Sequence, residues 1–171
     1  RTYRQHIGII LQEPILFRGT LASNIRYGNA DLSDKEVTEL LANVGGQDML
    51  TKFPDGIHQQ ISRGGDNLSL GEKQIISFAR VLAINPAILI MDEATANIDT
   101  GTEMMIQNAL NVVSQNRTVI VIAHRLSTIK KADKIIVLES GEKIEEGNHE
   151  ELMQIHGKYM QMYQSQGSLE C

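Results

Sequence analysis

Two adjacent carboxylates, Asp92 and Glu93, follow directly on Ile88-Leu-Ile-Met91, four apolar residues in a row. A carboxylate at the end of a buried strand can hold Mg2+, usually through water, in a nucleotide triphosphate site. A second carboxylate beside it can orient or deprotonate an attacking water. The same pair also fits two acids opening a surface loop. Leu68-Ser-Leu-Gly-Glu-Lys-Gln74 carries a different chemistry. Ser69 and Gly71 at the start of a helix would offer an anion free amides and a favourable dipole. Ser69 equally fits a plain helix cap, and one use does not exclude the other, because capping takes up only one free amide. His124 follows a second apolar run, Val119–Ala123. It could contact a phosphate or a leaving oxygen, or serve only in loop packing. Gln12, just past His6–Leu11, could reach a metal or its water, though a lone glutamine usually has no such role. Asp99 fits the N-cap of the helix after it.

The elements that must position these groups are legible in the pattern. His6–Leu11 predicts a buried strand, ended by Gln12-Glu13-Pro14. Ser33-Asp-Lys-Glu36 is a capping box, and Val37, Leu40, Leu41 and Val44 fall on one face of the helix behind it. Gly45-Gly46 stops that helix, and Phe53-Pro-Asp-Gly56 is a turn. Ser69-Leu-Gly-Glu72 is a second capping box, with Ile75, Ile76, Ala79, Leu82 and Ala83 as the apolar face. Asn85-Pro86 ends that helix, since proline disfavours a helical residue before it. Ile88–Met91 and Val119–Ala123 are apolar at every position, which predicts strands buried on both faces of a parallel sheet. A helix is expected over 101–114 between them. Lys134–Glu139 and Lys143–Glu146 flank Ser140-Gly141 and predict a hairpin. One last amphipathic helix is expected over 148–165, capped by Asn148 and Glu151, with Leu152, Ile155, Tyr159 and Tyr163 on one face. Strands alternating with helices predict an α/β fold with a mostly parallel sheet. Gln12, Asp92-Glu93 and His124 all fall just past strand ends, the edge where ligands bind in open α/β sheets.

Composition narrows the function classes. Sixteen basic and 21 acidic residues give a formal charge of −5, which argues against a general nucleic-acid binder. The single cysteine, Cys171, permits no internal disulfide. The longest apolar runs, Ala87–Met91 and Val119–Ala123, fall far short of the roughly 20 residues of a membrane helix. The chain opens at Arg1-Thr-Tyr-Arg-Gln, in mid-pattern, which suggests a fragment of a longer protein.

Taken singly these signals are weak, but their order along the chain is specific. Gln12, Leu68–Gln74, Asp92-Glu93, Asp99 and His124 reproduce the succession of motifs in ATP-binding-cassette ATPases. The chain resembles the nucleotide-binding domain of an ABC exporter over nearly its whole length. Leu11-Gln12-Glu-Pro resembles the Q-loop, Leu68–Gln74 the signature motif, and Ile88–Glu93 Walker B with its catalytic glutamate. Ala96-Asn-Ile-Asp99 resembles the D-loop and Ala123-His124-Arg-Leu-Ser-Thr128 the H-loop. Leu16-Phe-Arg-Gly-Thr-Leu-Ala-Ser-Asn-Ile25 is similar to the exporter branch, and Arg80 to Gln164 is similar to bacterial multidrug half-transporters. The resemblance implies a P-loop-type core over 1–16 and 83–147, a helical insertion over about 17–82 and a C-terminal helix over 148–165. It implies ATP and Mg2+ as ligands, with Asp92 and Gln12 at the metal. Glu93 would be the general base and His124 would contact the γ-phosphate. Asp99 joins the nucleotide contacts, and Ser69 and Gly71 would meet the γ-phosphate of a partner. That partner is a second such domain, identical or not, docked head-to-tail. A transmembrane domain upstream in the same chain and a place on the cytoplasmic face of the membrane are implied too. Soluble ABC-type ATPases and non-catalytic regulatory domains are the alternatives. The repair type carries long coiled coils between Q-loop and signature, whereas residues 13–67 here hold no sustained heptads.

Three features depart from the family. Leu70 and Glu72 stand where glycine and glutamine are common, and Glu72 is expected to put a negative charge beside a phosphate. Ser62-Arg-Gly-Gly65 stands where exporters often place a glutamate. No G-x-x-x-x-G-K-[ST] occurs in the chain. The expectation is truncation ahead of Arg1, with the phosphate cradle upstream and this chain inactive by itself.

Overall fold

The computed structural model describes residues 6–92, 100–123 and 129–167. In chain order its elements are β1 (Ile7–Ile10), β2 (Gly19–Thr20), α1 (Leu21–Ile25), α2 (Asp34–Asn43) and α3 (Gln47–Lys52). They continue with β3 (Gln60–Ile61), α4 (Leu70–Ile84), β4 (Ile88–Asp92), α5 (Thr100–Ser114) and β5 (Thr118–Ile122). Then come β6 (Ile135–Glu139), β7 (Glu142–Gly147), α6 (His149–Ile155) and α7 (Lys158–Gly167). The chain forms two compact units, residues 1–121 and 122–171.

The central sheet has the order β1-β4-β5. β1 and β4 run parallel, in register from Ile7 opposite Ile88 to Ile10 opposite Met91. Side chains alternate between the two faces of a strand. Ile10, Leu89 and Met91 are therefore buried in one core with Ile75, Ile76, Phe78, Ala109 and Val113 from α4 and α5. The other face corrects the expectation of strands covered on both sides. Ile9 is 60% exposed, and Ile120 and Ile122 are more than half exposed. Among the described residues of the first unit, helices cover one face of these strands.

α4 is the most buried helix of the first unit. Gly71, Gln74, Ile75, Ile76, Ser77, Phe78, Ala79, Val81 and Ala83 are all buried along it. The apolar stripe was legible in the sequence, while the buried Gln74 and Ser77 were not. α4 ends as expected before Pro86, through Asn85 in the left-handed region at φ 49°. The Asn85 N–H donates back to the Val81 and Leu82 carbonyls, closing the last turn.

Asn24, only 1% exposed, ties the front of this unit together. Its Oδ1 accepts the Phe17 N–H at 2.9 Å, and its Nδ2 donates to the Phe17 and Thr20 carbonyls at 2.9 and 3.1 Å. Arg80 of α4 reaches the same place, donating Nε to the Asn24 carbonyl at 2.9 Å and Nη1 to the Ile15 carbonyl at 3.0 Å. Irregular backbone between β1 and α1 thus obtains much of its hydrogen bonding from side chains instead of a strand partner.

In the second unit the expected hairpin is present. Ser140 and Gly141 both take positive φ, 53° and 85°, the two-residue turn whose twist matches paired strands. The single helix expected over 148–165 is two helices. His156 turns left-handed at φ 56°, and Ile155 is exposed. The carboxylate of Glu145 on β7 accepts the Lys158 and Tyr159 N–H groups and so caps a fresh helix start. A Cβ on Gly157 would push that carboxylate aside, so glycine leaves the cap undisturbed.

Asn24→Ala in the full-length protein is expected to cost about 2 kcal/mol, because the Phe17 N–H and carbonyl lose their partner and Arg80 Nη2 loses an acceptor. A thermal midpoint equal to the parent's would show that the Asn24 bridge does not hold this segment.

Candidate functional site

The parallel register of β1 and β4 decides which groups meet. Ile10 lies opposite Met91, so Gln12 and Asp92 emerge at the same carboxyl edge. The Thr118 N–H donates to the Ala87 carbonyl at 3.1 Å, which starts β5 from the same edge as β4. The strand that precedes His124 in sequence therefore points the same way. Gln12 is exposed and Asp92 half-buried. A carboxylate and an amide oxygen are hard donors that suit Mg2+, an ion that keeps most of its own waters. No cluster of three or more His, Cys, Asp or Glu capable of holding a metal occurs among the described residues. Glu93, Asp99 and His124 lie outside the described residues.

The start of α4 is built by local chemistry. The Ser69 N–H donates to Glu72 Oε2 at 2.7 Å, and the Glu72 N–H donates to Ser69 Oγ at 3.2 Å. The expected capping box is thus complete. It leaves the amides of Leu70 and Gly71 without partners inside the helix. Glu72 does not present a bare charge, and this corrects the concern raised by its place in the motif. Lys52, 20 positions earlier at the end of α3, donates to Glu72 Oε1 at 2.7 Å, and the Glu72 side chain is only 12% exposed. Burial pushes the Glu72 carboxyl up, but the hydrogen bonds from Lys52 and Ser69 outweigh it and hold the group below its ordinary value.

Gly71 has a packing reason of its own. A Cβ there would overlap the Thr102 methyl group on α5 and crowd Met105. Glycine therefore lets α4 and α5 approach at the helix start. Leu70, which replaces the more common glycine, points outward and is 42% exposed. It cannot disturb that contact.

A cleft of about 560 Å3 runs beside this helix start, lined by Gln12, Glu13, Pro14, Ile15, Leu16, Gly64, Leu70 and Lys73. Gly64 and Gly65 both sit in the left-handed region, at φ 74° and 67°. The Gly64 N–H donates to the Leu16 carbonyl, and a Cβ on Gly65 would press on Leu16 at 2.8 Å. The loop ahead of α4 is thereby closed against the segment after β1.

Sequence reasoning missed three side chains that organise this edge. They are Lys52, which neutralises Glu72, Gln74, which donates to the Gln12 carbonyl at 3.0 Å, and Arg80. Gln74 and Arg80 were visible as polar residues in the run Leu70–Ile84. Nothing local pointed from Lys52 to Glu72.

A parallel α/β sheet with a capped helix and polar residues at its carboxyl edge defines a nucleotide-binding class of fold. The family model for ABC transporters matches residues 1–96, more than half of the chain, and the chain belongs to that family. It is 55% identical over 163 residues to the probable multidrug resistance ABC transporter ATP-binding/permease protein YheH of Bacillus subtilis (strain 168). That match covers 95% of this chain and 24% of the relative. It is 46% identical to the ATP-dependent lipid A-core flippase of Syntrophus aciditrophicus (strain SB), covering 95% of this chain and 27% of that protein. Among solved structures, a bacterial Atm1-family ABC exporter with ATP bound superposes with a TM-score of 0.85 at 40% identity. The match takes in 95% of this chain and 28% of the exporter. The chain thus spans about a quarter of the length of the relatives it matches.

Glu72 supplies a pH test. Its folded pKa lies below the ordinary 4.5, so its contribution is present above pH 4.5 and is lost as pH falls through the lower folded value. The parent should melt above Glu72→Gln at neutral pH, and the gap should close below pH 4.5. A gap that stays constant down to acid pH would mean that the Lys52 pair contributes nothing.

Proposed function

We propose that this chain is part of the ATP-hydrolysing domain of an exporter, and that hydrolysis drives transport across a membrane. The observation that carries this is the register of β1 and β4, which delivers Gln12 and Asp92 to one edge, with Gln12 tied by its carbonyl to the capped helix α4. Membership of the ABC transporter family supports it.

In this reading Asp92 and Gln12 hold Mg2+, partly through water. The ion, when bound, neutralises charge on the phosphate oxygens. Glu93 accepts the proton of the attacking water, and His124 contacts the γ-phosphate. Asp99 takes part in the nucleotide contacts. Ser69, the amides behind it and the small Gly71 receive the γ-phosphate of a second, identical or related domain docked head-to-tail. Residues 17–82 act as the helical subdomain, and 1–16 with 83–147 form the core. Among the described residues no helix is long and apolar enough to cross a membrane, so the transmembrane domain of this proposal belongs to other sequence. The site works from the cytoplasmic face, and the cargo is of the multidrug or lipid type that the relatives' names describe. Phosphate capture by a P-loop is likewise assigned to sequence outside these residues, so the isolated chain is inactive.

In the full-length protein Glu93→Gln should keep ATP binding, because the amide is nearly isosteric, and should lower turnover about 10²-fold or more. ATP should then hold the domains closed. Turnover near the parent rate would remove Glu93 from the role of base.

Ser69→Arg should block closure by bulk and abolish ATPase activity while nucleotide still binds. Ser69→Ala should cost roughly a capping bond, about 1 kcal/mol, together with one phosphate contact. If Ser69→Arg dimerises normally with ATP, the anion site is not at this helix start.

A further inference from the structure

The side chain of Gln74 is out of place by ordinary rules. It is 5% exposed, just after Glu72 and Lys73, where α4 turns into the core with Ile75 and Ile76. Its Nε2 donates to the backbone carbonyl of Gln12, 62 positions away, at 3.0 Å. Its Oε1 is buried and finds no hydrogen-bond partner among the described residues. A buried acceptor without a donor is destabilising, whereas an apolar side chain of the same shape there would not be. The single bond to the Gln12 carbonyl is thus set against a buried acceptor left unpaired. With one bond made and one buried acceptor orphaned, stability alone gives little reason for an amide at this position.

Position gives one. Gln74 lies five residues, about 7.5 Å of helix, beyond Ser69. Arg80, further along α4, holds the same segment through the Ile15 and Asn24 carbonyls. Gln74 acts at its far end, on the residue at the strand edge. Without it, the turn Gln12-Glu13-Pro14 would be hydrogen-bonded to α4 only beyond the proline, through Arg80.

We propose that Gln74 is a positioning residue: its amide fastens the backbone of Gln12 to the helix that begins at Ser69, so that the metal-facing turn and the anion-facing helix start move as one body. The inference rests on the roles given above to Gln12 and Ser69. It assigns to Gln74 no contact with nucleotide.

The test is a double-mutant cycle in the full-length protein, using Gln74→Met, which keeps length and removes the donor, and Gln12→Ala. Gln74→Met should lower kcat about tenfold or more, as a displaced catalytic contact does, with little change in KM for ATP. Its thermal midpoint should equal or exceed the parent's. In the Gln12→Ala background Gln74→Met should have no further effect on kcat, because there is no longer a side chain to place. Gln74→Leu should repeat the pattern. Equal kcat losses in both backgrounds, an unchanged kcat, or a Gln74→Met protein that melts lower or fails to fold would each overturn the proposal. If Gln12→Ala itself leaves kcat unchanged, the role given to Gln12 falls and this inference falls with it. If Gln12→Ala lowers kcat and Gln74→Met does not, only the inference falls.

Discussion

The burial of α4 is the constraint on which the first unit depends. This helix packs against β1 on one side and against α1, α2 and α5 on others, and Ile75, Ile76 and Ala79 are fully enclosed. A helix that is apolar nearly all round cannot lie at a surface. Once it is enclosed, its N-terminus emerges beside the segment that leaves β1. The start of the helix thereby lies close to Gln12, whose carbonyl accepts from Gln74 and which lines a cleft with Leu70 and Lys73. Apolar packing and the position of the capped helix start are two consequences of one placement.

Enclosing α4 also creates a problem that polar side chains solve. The backbone after β1 does not continue into a strand, so its carbonyls need donors. Gln74 and Arg80 supply them from α4, and Asn24 supplies both donors and an acceptor from α1. Directional bonds of this kind fix a segment's place, whereas apolar contact fixes only its burial. The same logic governs Glu72. Its carboxylate closes the cap on Ser69, and Lys52 balances the charge, so a residue that departs from the family motif is accommodated without an unpaired anion.

The second unit is held differently. Its small core of Val137, Leu152 and Tyr159 is supplemented by charged groups on the hairpin. Hydrogen bonds from Lys134 and Lys143 hold the Glu146 carboxyl down at about 2. Glu145, on the same strand, directs the chain from α6 into α7 by capping the second helix. A two-helix ending arises because a carboxylate 13 positions upstream competes with continuation of the first helix, and His156 and Gly157 can take the bend.

The sequence by itself determined the local devices. Ser33-Glu36, Ser69-Glu72 and Asn148-Glu151 are capping boxes both in pattern and in space, because the interaction spans only three residues. The strand cores, the Ser140-Gly141 turn and the stop at Asn85 follow from the same short-range chemistry. The order of motifs was enough to identify the family. Tertiary structure alone decided what depends on distant partners. Lys52 on Glu72, Gln74 on Gln12 and Arg80 on Ile15 join residues 20, 62 and 65 positions apart. No periodicity records such pairs. It also decided which face of each apolar strand is covered, because alternation disappears from a sequence in which both faces are apolar. And it decided why position 71 is glycine, since the atom that excludes a side chain belongs to Thr102 on another helix.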